Sequence, residues 1–303
     1  YFFKKYESKI MKRKPSPAKN RLAAFIELTK PRITFLILVS TALGFYMASN
    51  RDIDWIAFFY TMIGTLFLSG GAGTVNHYIE KDLDTLMNRT KSRPIPAGLI
   101  EHSVALYFGI VLSVIGILIL FLLVNQLTAL LGLLTLILYI FIYTPLKKIT
   151  WLNTTIGAIP GAMPVLGGWS GASNSLSPDA WILFAILFLW QHPHFYAIAL
   201  MCKDDYKKAG FMMLPVIEED NTRTNRQIIW HGFLLIPVSL YFVITGALGI
   251  FYFWGAIFLG LGYLFSSIPL LKESSIKNAK ILLKASVIYL PLLLIIILID
   301  KNY

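Results

Sequence analysis

Nine apolar stretches of nearly membrane-spanning length constrain this chain more than any other feature of its sequence. A helix needs about 20 mostly apolar residues to cross a bilayer. Hydrophobic residues make up 56% of the 303 residues, whereas soluble domains reach only about 45–50%. We therefore expect an all-α integral membrane protein with nine transmembrane helices. The stretches are 33–50, 55–79, 104–124, 127–146, 152–170, 180–202, 228–248, 251–271 and 281–299.

The fifth stretch is the least regular of the nine, because glycine and proline recur along it. Irregular backbone is tolerated at membrane depth only where protein or a cavity covers it. We therefore expect this span to be covered rather than exposed to lipid. The residues concerned are Gly157, Pro160, Gly161, Pro164, Gly167 and Gly168.

The distribution of positive charge predicts the orientation. All but Arg51 and Lys301 of the 27 Lys and Arg residues fall in or directly beside the N-terminal tail or the loops after spans 2, 4, 6 and 8. Cytoplasmic loops contain the excess of Lys and Arg. We expect a basic cytoplasmic tail at 1–30, a membrane domain at 31–303 and a C-terminus outside. The tail lacks a signal core and a long Arg- and Ser-rich presequence, which favours a bacterial plasma membrane over a mitochondrial inner membrane.

The net charge of +11 does not indicate a nucleic-acid partner, because membrane topology and attraction to the anionic lipid bilayer account for it. Cys202 is the only cysteine, so an intrachain disulfide and a thiolate cluster are both excluded.

An acidic cluster follows the second span. Asn76, Glu80 and Asp84 are spaced i, i+4, i+8 and would share one face of a helix. Their oxygens suit Mg²⁺, which takes one or two carboxylates and completes its shell with water and phosphate. The simpler interpretation is a helix end with solvated charges, but acidic groups where a chain leaves the membrane usually have a function.

A second acidic cluster, Asp204 and Asp205, follows the sixth span, four spans after the first. This offset suggests two related four-helix halves, each with one acidic loop, as in many membrane proteins with internal repeats. If the halves are related, the two clusters face each other and Asp204 and Asp205 complete the metal site. We interpret Glu218, Glu219 and Asp220, later in the same loop, as solvated charge.

Basic residues near both clusters are candidates for binding a diphosphate. Arg89, Lys91 and Arg93 follow the first cluster, and arginine can bind phosphate bidentately. Ordinary positive-inside charge is the preferred interpretation for Lys91 alone. Tyr143 and Lys147 lie four residues apart at the end of span 4, where they would either contact a leaving group or anchor the helix at the interface.

Span 6 contains the string Trp190-Gln191-His192-Pro193-His194-Phe195. Histidines inside a membrane segment require an explanation. Iron or porphyrin binding, proton donation and a polar contact to substrate all remain open, as does an internally hydrogen-bonded pair around a proline kink. His102 and His231 receive no assignment.

Together these motifs resemble the UbiA-type intramembrane prenyltransferases, from about Lys30 to the last span. The strings are Thr29-Lys30-Pro31-Arg32, Asn76–Asp84 with Arg89-Thr90 and Arg93-Pro94, Tyr143-Thr144-Pro145-Leu146-Lys147, Asn153–Trp169, Trp190–Phe195, and Asp205-Tyr206 leading to Met213-Leu214-Pro215-Val216. The Trp190–Phe195 and Leu214-Pro215-Val216 strings resemble the haem-modifying branch of the family.

The resemblance implies nine helices around a central cavity with two acidic loops at its cytoplasmic mouth. It implies farnesyl diphosphate and protohaem IX as substrates, Mg²⁺ as cofactor, and a haem A synthase or terminal oxidase assembly as later partners. It also implies that Trp190, Gln191, His192 and His194 contact haem, and that the acidic and basic residues above act on the diphosphate. Two positions depart from the family pattern, Glu80 where Asp is usual and His77 where Asp is frequent. Glu80 is still expected to coordinate, and His77 is left out of the ligand set.

Two other functions remain open from the residues. A prenyltransferase acting on a quinone precursor or a chlorophyll-type ring would keep both acidic loops without needing the paired histidines. An ion-coupled transporter would place its charged groups near the bilayer midplane rather than at the ends of the spans, so the sequence argues against it.

Overall fold

The computed structural model describes residues 21–49 and 52–301. Most of the predicted basic tail, together with Arg51, lies outside these residues. The described residues form helices joined by loops. An isolated β-bridge joins Leu248 and Lys301. The α-helices are α1 Arg21–Leu28, α2 Pro31–Ala48, α3 Trp55–Ile79, α4 Lys81–Leu86, α5 His102–Leu123, α6 Gln126–Ile137, α7 Asn153–Ser173, α8 Pro178–Met201, α9 Lys203–Lys208, α10 Leu214–Ile217, α11 Thr222–Ser239, α12 Tyr241–Ile244, α13 Ile250–Phe265, α14 Ile268–Lys272 and α15 Ile276–Asp300.

Eight helical segments of the described chain are long and apolar enough to cross a membrane. They match eight of the nine predicted spans, although the seventh begins at Thr222 rather than at 228 and the last at Ile276 rather than at 281. Both begin earlier because polar and charged residues continue each helix beyond its apolar part. The eight segments are Pro31–Ala48, Trp55–Ile79, His102–Leu123, Gln126–Leu146, Pro178–Met201, Thr222–Ile244, Ile250–Lys272 and Ile276–Asp300.

The predicted fifth span is α7, which is not among those eight. Its 21 residues would measure about 31 Å, enough to cross a bilayer. It lacks a stretch as apolar as those in the eight segments, and more than half of its residues are buried, as its glycine and proline content predicts. Its glycines allow close packing: a Cβ at Gly168 would lie 1.8 Å from the Thr41 carbonyl oxygen of α2, and one at Gly44 of α2 would lie 2.0 Å from the Val165 carbonyl oxygen.

The fourth span changes its helical type before it ends. After α6 the chain forms a π-helix over Leu138–Tyr143 and a last α-turn over Thr144–Leu146. The Thr144 hydroxyl donates to the Tyr139 carbonyl at 2.8 Å, which satisfies an acceptor in the wider turn. π-helical turns are frequent at functional sites, and this one contains Tyr139 and Tyr143.

The two acidic loops have the same local construction. α3 ends at Ile79, and Glu80 joins it to the six-residue helix α4; α8 ends at Met201, and Cys202 joins it to the six-residue helix α9. The joining residues have similar backbone angles, φ −90° and ψ 6° at Glu80, and φ −109° and ψ 19° at Cys202. This equivalence supports the expected relation between two halves.

Candidate active site

The oxygen ligands predicted in the first acidic loop are all buried. Asn76 lies in the last turn of α3, Glu80 is the junction and Asp84 lies on α4, with exposed fractions of 1%, 5% and 0%. The backbone N–H of Asp84 donates to the Glu80 carbonyl at 2.8 Å, so the helical path continues almost unbroken through the junction. Buried carboxylates are costly unless they are paired, which excludes the interpretation as solvated helix-end charges.

Each of these three residues is paired with a basic side chain. The Lys147 ammonium donates to Glu80 Oε1 at 2.6 Å. Arg93 Nη1 lies 2.8 Å from both oxygens of Asp84. Lys30 Nζ donates to Asn76 Oδ1 at 2.6 Å. These side chains from the first loop and from two other parts of the chain therefore form a buried array of three oxygen ligands and three basic groups, suited to an anionic ligand that contacts both.

The electrostatics of the array follow from burial and from these cations. Burial favours the neutral form of Glu80, but the charges of Lys147 and Lys30 outweigh it and lower the pKa of Glu80. Burial raises the pKa of Asp84 despite the charge of Arg93. Burial and then the charge of Arg93 lower the pKa of Lys30 to about 7. Burial would lower the pKa of Lys147, but Tyr143 and Glu80 raise it.

Span 4 provides an aromatic wall beside the array. The rings of Tyr139 and Tyr143 stack with centroids 5.7 Å apart, and Lys147 Nζ lies 4.6 Å from the Tyr143 ring centroid. Asn76 Nδ2 donates to the Thr144 hydroxyl at 3.1 Å. The predicted Tyr143 and Lys147 are thus brought together, and Lys147 is engaged with Glu80 rather than being a free interfacial anchor.

The other predicted basic residues differ from each other. Arg89 is partly buried, and its guanidinium carbon lies 4.9 Å from the ring centroid of Tyr206 on α9. Lys91 is exposed and donates to the Asn88 side chain at 3.0 Å. Lys91 therefore stays with its simpler interpretation as positive-inside charge.

The second acidic loop contacts the backbone of the first through the side chain of Asp205. Asp205 Oδ1 accepts from the Asn88 N–H at 3.2 Å, and Oδ2 accepts from the Arg89 N–H at 3.3 Å. Asp204 is exposed. In the same loop Glu218 is partly buried and accepts from the Thr224 hydroxyl at 2.7 Å, so it is a helix-capping group and not solvated charge, while Glu219 and Asp220 are exposed.

The first loop fits a metal that is shared with a phosphorylated ligand. Across the described chain, no group of three or more His, Cys, Asp and Glu side chains is arranged to hold a metal without help. Mg²⁺ does not need such a cage, because it keeps waters and binds phosphate oxygens beside one or two carboxylates. Glu80 and Asp84, with the amide oxygen of Asn76, match that donor set.

The two histidines of span 6 point to different helices. His192 is fully buried; its Nδ1 lies 2.8 Å from the Phe188 carbonyl and its Nε2 3.3 Å from the Thr155 hydroxyl of α7. His194 Nδ1 lies 2.8 Å from the Ser286 hydroxyl of α15.

The two remaining residues of the string have partners of their own. Trp190 stacks on His194 with centroids 5.0 Å apart and donates to the Ser286 carbonyl at 2.9 Å. Gln191 is buried and donates to the Ala158 carbonyl at 3.3 Å. Trp190 and His194 therefore form one unit against α15, separate from His192.

Sequence reasoning missed several residues that the structure places in these clusters. Lys30 was quoted within a motif but given no role. His77, set aside earlier, is buried with Nδ1 3.9 Å from Asp84. His231, which received no assignment, stacks on His192 with centroids 3.7 Å apart. Tyr139 had a detectable signal, since it precedes Tyr143 by four residues, whereas contacts between distant spans leave no such pattern.

The model of the UbiA prenyltransferase family matches residues 37–288. Protoheme IX farnesyltransferase of Solibacter usitatus is 46% identical over 286 residues, covering 91% of this chain and 98% of that protein. Protoheme IX farnesyltransferase of Salinibacter ruber is 42% identical, again covering 91% of this chain and 98% of the relative.

Solved structures share the fold at low sequence identity. A digeranylgeranylglyceryl phosphate synthase covers 92% of this chain and 98% of its own, with a TM-score of 0.79 at 18% identity. A UbiA homologue from Archaeoglobus fulgidus bound to GPP and Mg²⁺ covers 90% of this chain and 99% of its own, with a TM-score of 0.64 at 16% identity. The similarity in sequence and in fold extends over almost the whole chain. The chain therefore belongs to the UbiA prenyltransferase family.

Proposed function

We propose that this protein transfers the farnesyl group of farnesyl diphosphate to a vinyl group of protohaem IX, with addition of water, giving haem O and diphosphate. It is a multi-pass membrane enzyme, and we place it in a bacterial plasma membrane. The observation that supports prenyl transfer most directly is the buried array in which Asn76, Glu80 and Asp84 are each paired with a basic side chain. The acceptor is supported by the full-length similarity to protoheme IX farnesyltransferases.

The first step breaks the C–O bond of farnesyl diphosphate, and both electrons leave with the diphosphate. Magnesium bound by Glu80, Asp84 and Asn76 would neutralise part of the charge on the phosphate oxygens. Arg89, Arg93 and Lys147 bind the remaining oxygens, and their interaction strengthens as charge gathers on the leaving group. Interactions that strengthen in the transition state are the ones that accelerate the reaction.

The second step joins farnesyl to haem. The allylic cation must be kept from water until the vinyl group attacks it, and the faces of Tyr139 and Tyr143 are suited to stabilise a cation beside the diphosphate site. The vinyl π electrons form the new C–C bond and leave a cation on the carbon next to the porphyrin. One water adds there and one proton is released. Either His192 or His194 positions the haem or receives that proton.

Product analysis by mass spectrometry tests the proposal. Membranes containing the protein receive haem, farnesyl diphosphate and magnesium, and the expected product is haem carrying farnesyl plus one water. Intact farnesyl diphosphate and unmodified haem, in membranes where the protein is folded, would overturn it. Diphosphate release only when a quinone precursor or chlorophyll-type ring replaces haem would assign a different acceptor.

A further inference from the structure

Arg89 differs from Arg93 and Lys147 because it has no carboxylate partner. Arg93 and Lys147 are each in an ion pair, whereas none of the ion pairs among the described residues includes Arg89. Its Nε is buried and makes no hydrogen bond to any described residue, and its Nη2 contacts the Met87 sulfur at 4.0 Å. A partly buried guanidinium with unused donors is a ready receptor for a phosphate oxygen.

The second acidic loop holds this guanidinium from two directions. The two oxygens of Asp205 accept the N–H groups of Asn88 and Arg89, at 3.2 and 3.3 Å, and so fix the backbone that bears the side chain. The Tyr206 ring lies against the guanidinium, with the guanidinium carbon 4.9 Å from its centroid, and this ring is buried. Backbone and side chain of Arg89 are therefore both positioned by consecutive residues of α9.

The same loop lacks a ligand set equivalent to the first. When the junction residues Glu80 and Cys202 are matched, the positions of Asn76 and Asp84 correspond to Ile198 and Tyr206. None of the three equivalents offers a carboxylate or an amide oxygen. Asp205 corresponds to Leu83. Asp204 corresponds to Asp82, and the side chains of Asp204 and Asp82 are both exposed.

We propose that Asp205 and Tyr206 are positioning residues that hold Arg89 over the diphosphate, and that the metal is bound by the first acidic loop without a carboxylate from the second. This assignment rests on the proposed function, since it names the diphosphate of the prenyl donor as the ligand of Arg89. It changes the expected role of Asp205 from a metal ligand to a hydrogen-bond acceptor for the first loop.

Asp205→Asn tests the assignment, because asparagine keeps the shape but offers one acceptor oxygen in place of two. The matched control is Glu219→Gln, which removes an exposed acidic charge from the same loop. Three quantities are measured on the full-length protein in detergent. They are hydrogen exchange of the amides of residues 88 and 89, the number of Mn²⁺ ions bound with farnesyl thiodiphosphate by EPR, and the dissociation constant of that analogue.

For Asp205→Asn we expect faster exchange at residues 88 and 89, an unchanged number of Mn²⁺ ions, and analogue binding weakened about tenfold, as is typical for loss of one charge-assisted contact. Glu219→Gln is expected to match the wild type in all three. Loss of a bound Mn²⁺ with unchanged exchange would overturn the assignment and make Asp205 a metal ligand.

A second pair of variants tests the same assignment without altering Asp205. Tyr206→Phe keeps the ring under Arg89 and should bind the analogue like the wild type, whereas Tyr206→Leu removes the ring and should weaken binding with the Mn²⁺ count unchanged. Equal affinity of both variants would contradict the positioning role. None of these measurements contains haem, so a wild-type enzyme that fails to modify haem would disprove the acceptor but leave this assignment intact.

Discussion

At the scale of single residues, the buried carboxylates allow the sharpest test of the site. Glu80→Gln and Asp84→Asn should each lower turnover at least about 100-fold, the typical effect of removing one group that stabilises transition-state charge. Both replacements keep the shape and a hydrogen-bonding oxygen for Lys147 or Arg93, so expression should stay normal. The measurement is diphosphate release in membranes. Asp82→Asn is the control, since the Asp82 side chain is 86% exposed on the same helix; near-normal activity of both test variants would remove the metal assignment.

The histidines of span 6 give a second prediction at this scale. His194 is partly exposed beside Trp190, whereas His192 is enclosed by His231, Phe188 and Thr155. His194→Phe should therefore weaken haem binding about tenfold, with a smaller loss of thermal stability than His192→Phe because it removes one hydrogen bond instead of two. His192→Phe should lower thermal stability, because it removes two hydrogen bonds inside the bundle. Absorption titration measures the haem affinity of each variant, and thermal unfolding measures its stability. Weaker haem binding in His192→Phe together with a larger loss of stability in His194→Phe would contradict the prediction.

Sequence alone could predict which residue types form the site but not how they pair. The spacing of Asn76, Glu80 and Asp84 was readable because four-residue steps share a helix face. The pairing of Lys30 with Asn76 was not, since it depends on the chain reversal before Pro31. Lys30 has a left-handed backbone conformation, with φ 50° and ψ 57°. Its side chain lies over Gly73, where an added Cβ would be 3.4 Å from Lys30 Cγ and Cδ.

At the scale of helices, the packing of α7 against α2 makes a prediction about stability. Gly168→Ala would place a Cβ 1.8 Å from the Thr41 carbonyl oxygen, and backbone cannot yield as a side chain does. The expected loss is at least about 2 kcal/mol, as for other overpacked sites. Gly167→Ala is the matched control on the same helix, because its Cβ would meet no atom within 4 Å. Thermal unfolding in detergent should separate the two variants, and equal melting temperatures would refute this packing.

Helix types and approximate limits were predictable because apolar length reveals a span. The buried helix α7 was recognised as irregular in sequence, although its backbone forms one helix over Asn153–Ser173. The π-helical turn at Leu138–Tyr143 could not have been predicted, since it depends on a local hydrogen bond from Thr144 to Tyr139. Asp204 occupies the same place after the junction residue Cys202 as the exposed Asp82 does after Glu80, and this equivalence is a property of the structure.

At the scale of the whole molecule, the predicted orientation of the loops depends on α7 crossing the membrane. Nine crossings place almost all Lys and Arg residues on one side of the membrane. With eight crossings, the basic loops after α7 would lie on the side opposite to the basic loops before it. The structure shows that the loops bearing Asn88, Lys147 and Asp205 meet at one end, since Lys147 also accepts from the Met212 N–H through its carbonyl at 2.7 Å. Lys147 precedes α7 and Met212 follows α8, so these two helices together return the chain to the same end, as two crossings would.

Two cysteine variants decide the matter. In a Cys202→Ser background, Lys148→Cys lies before α7 and Ser175→Cys after it, and both positions are exposed. An impermeant maleimide should label Ser175→Cys in intact cells and Lys148→Cys only after permeabilisation, because the positive loops are predicted to face the cytoplasm. Labelling of both from the same side would mean that α7 does not cross. Labelling of Lys148→Cys alone in intact cells would invert the predicted orientation and place the diphosphate site on the outer side.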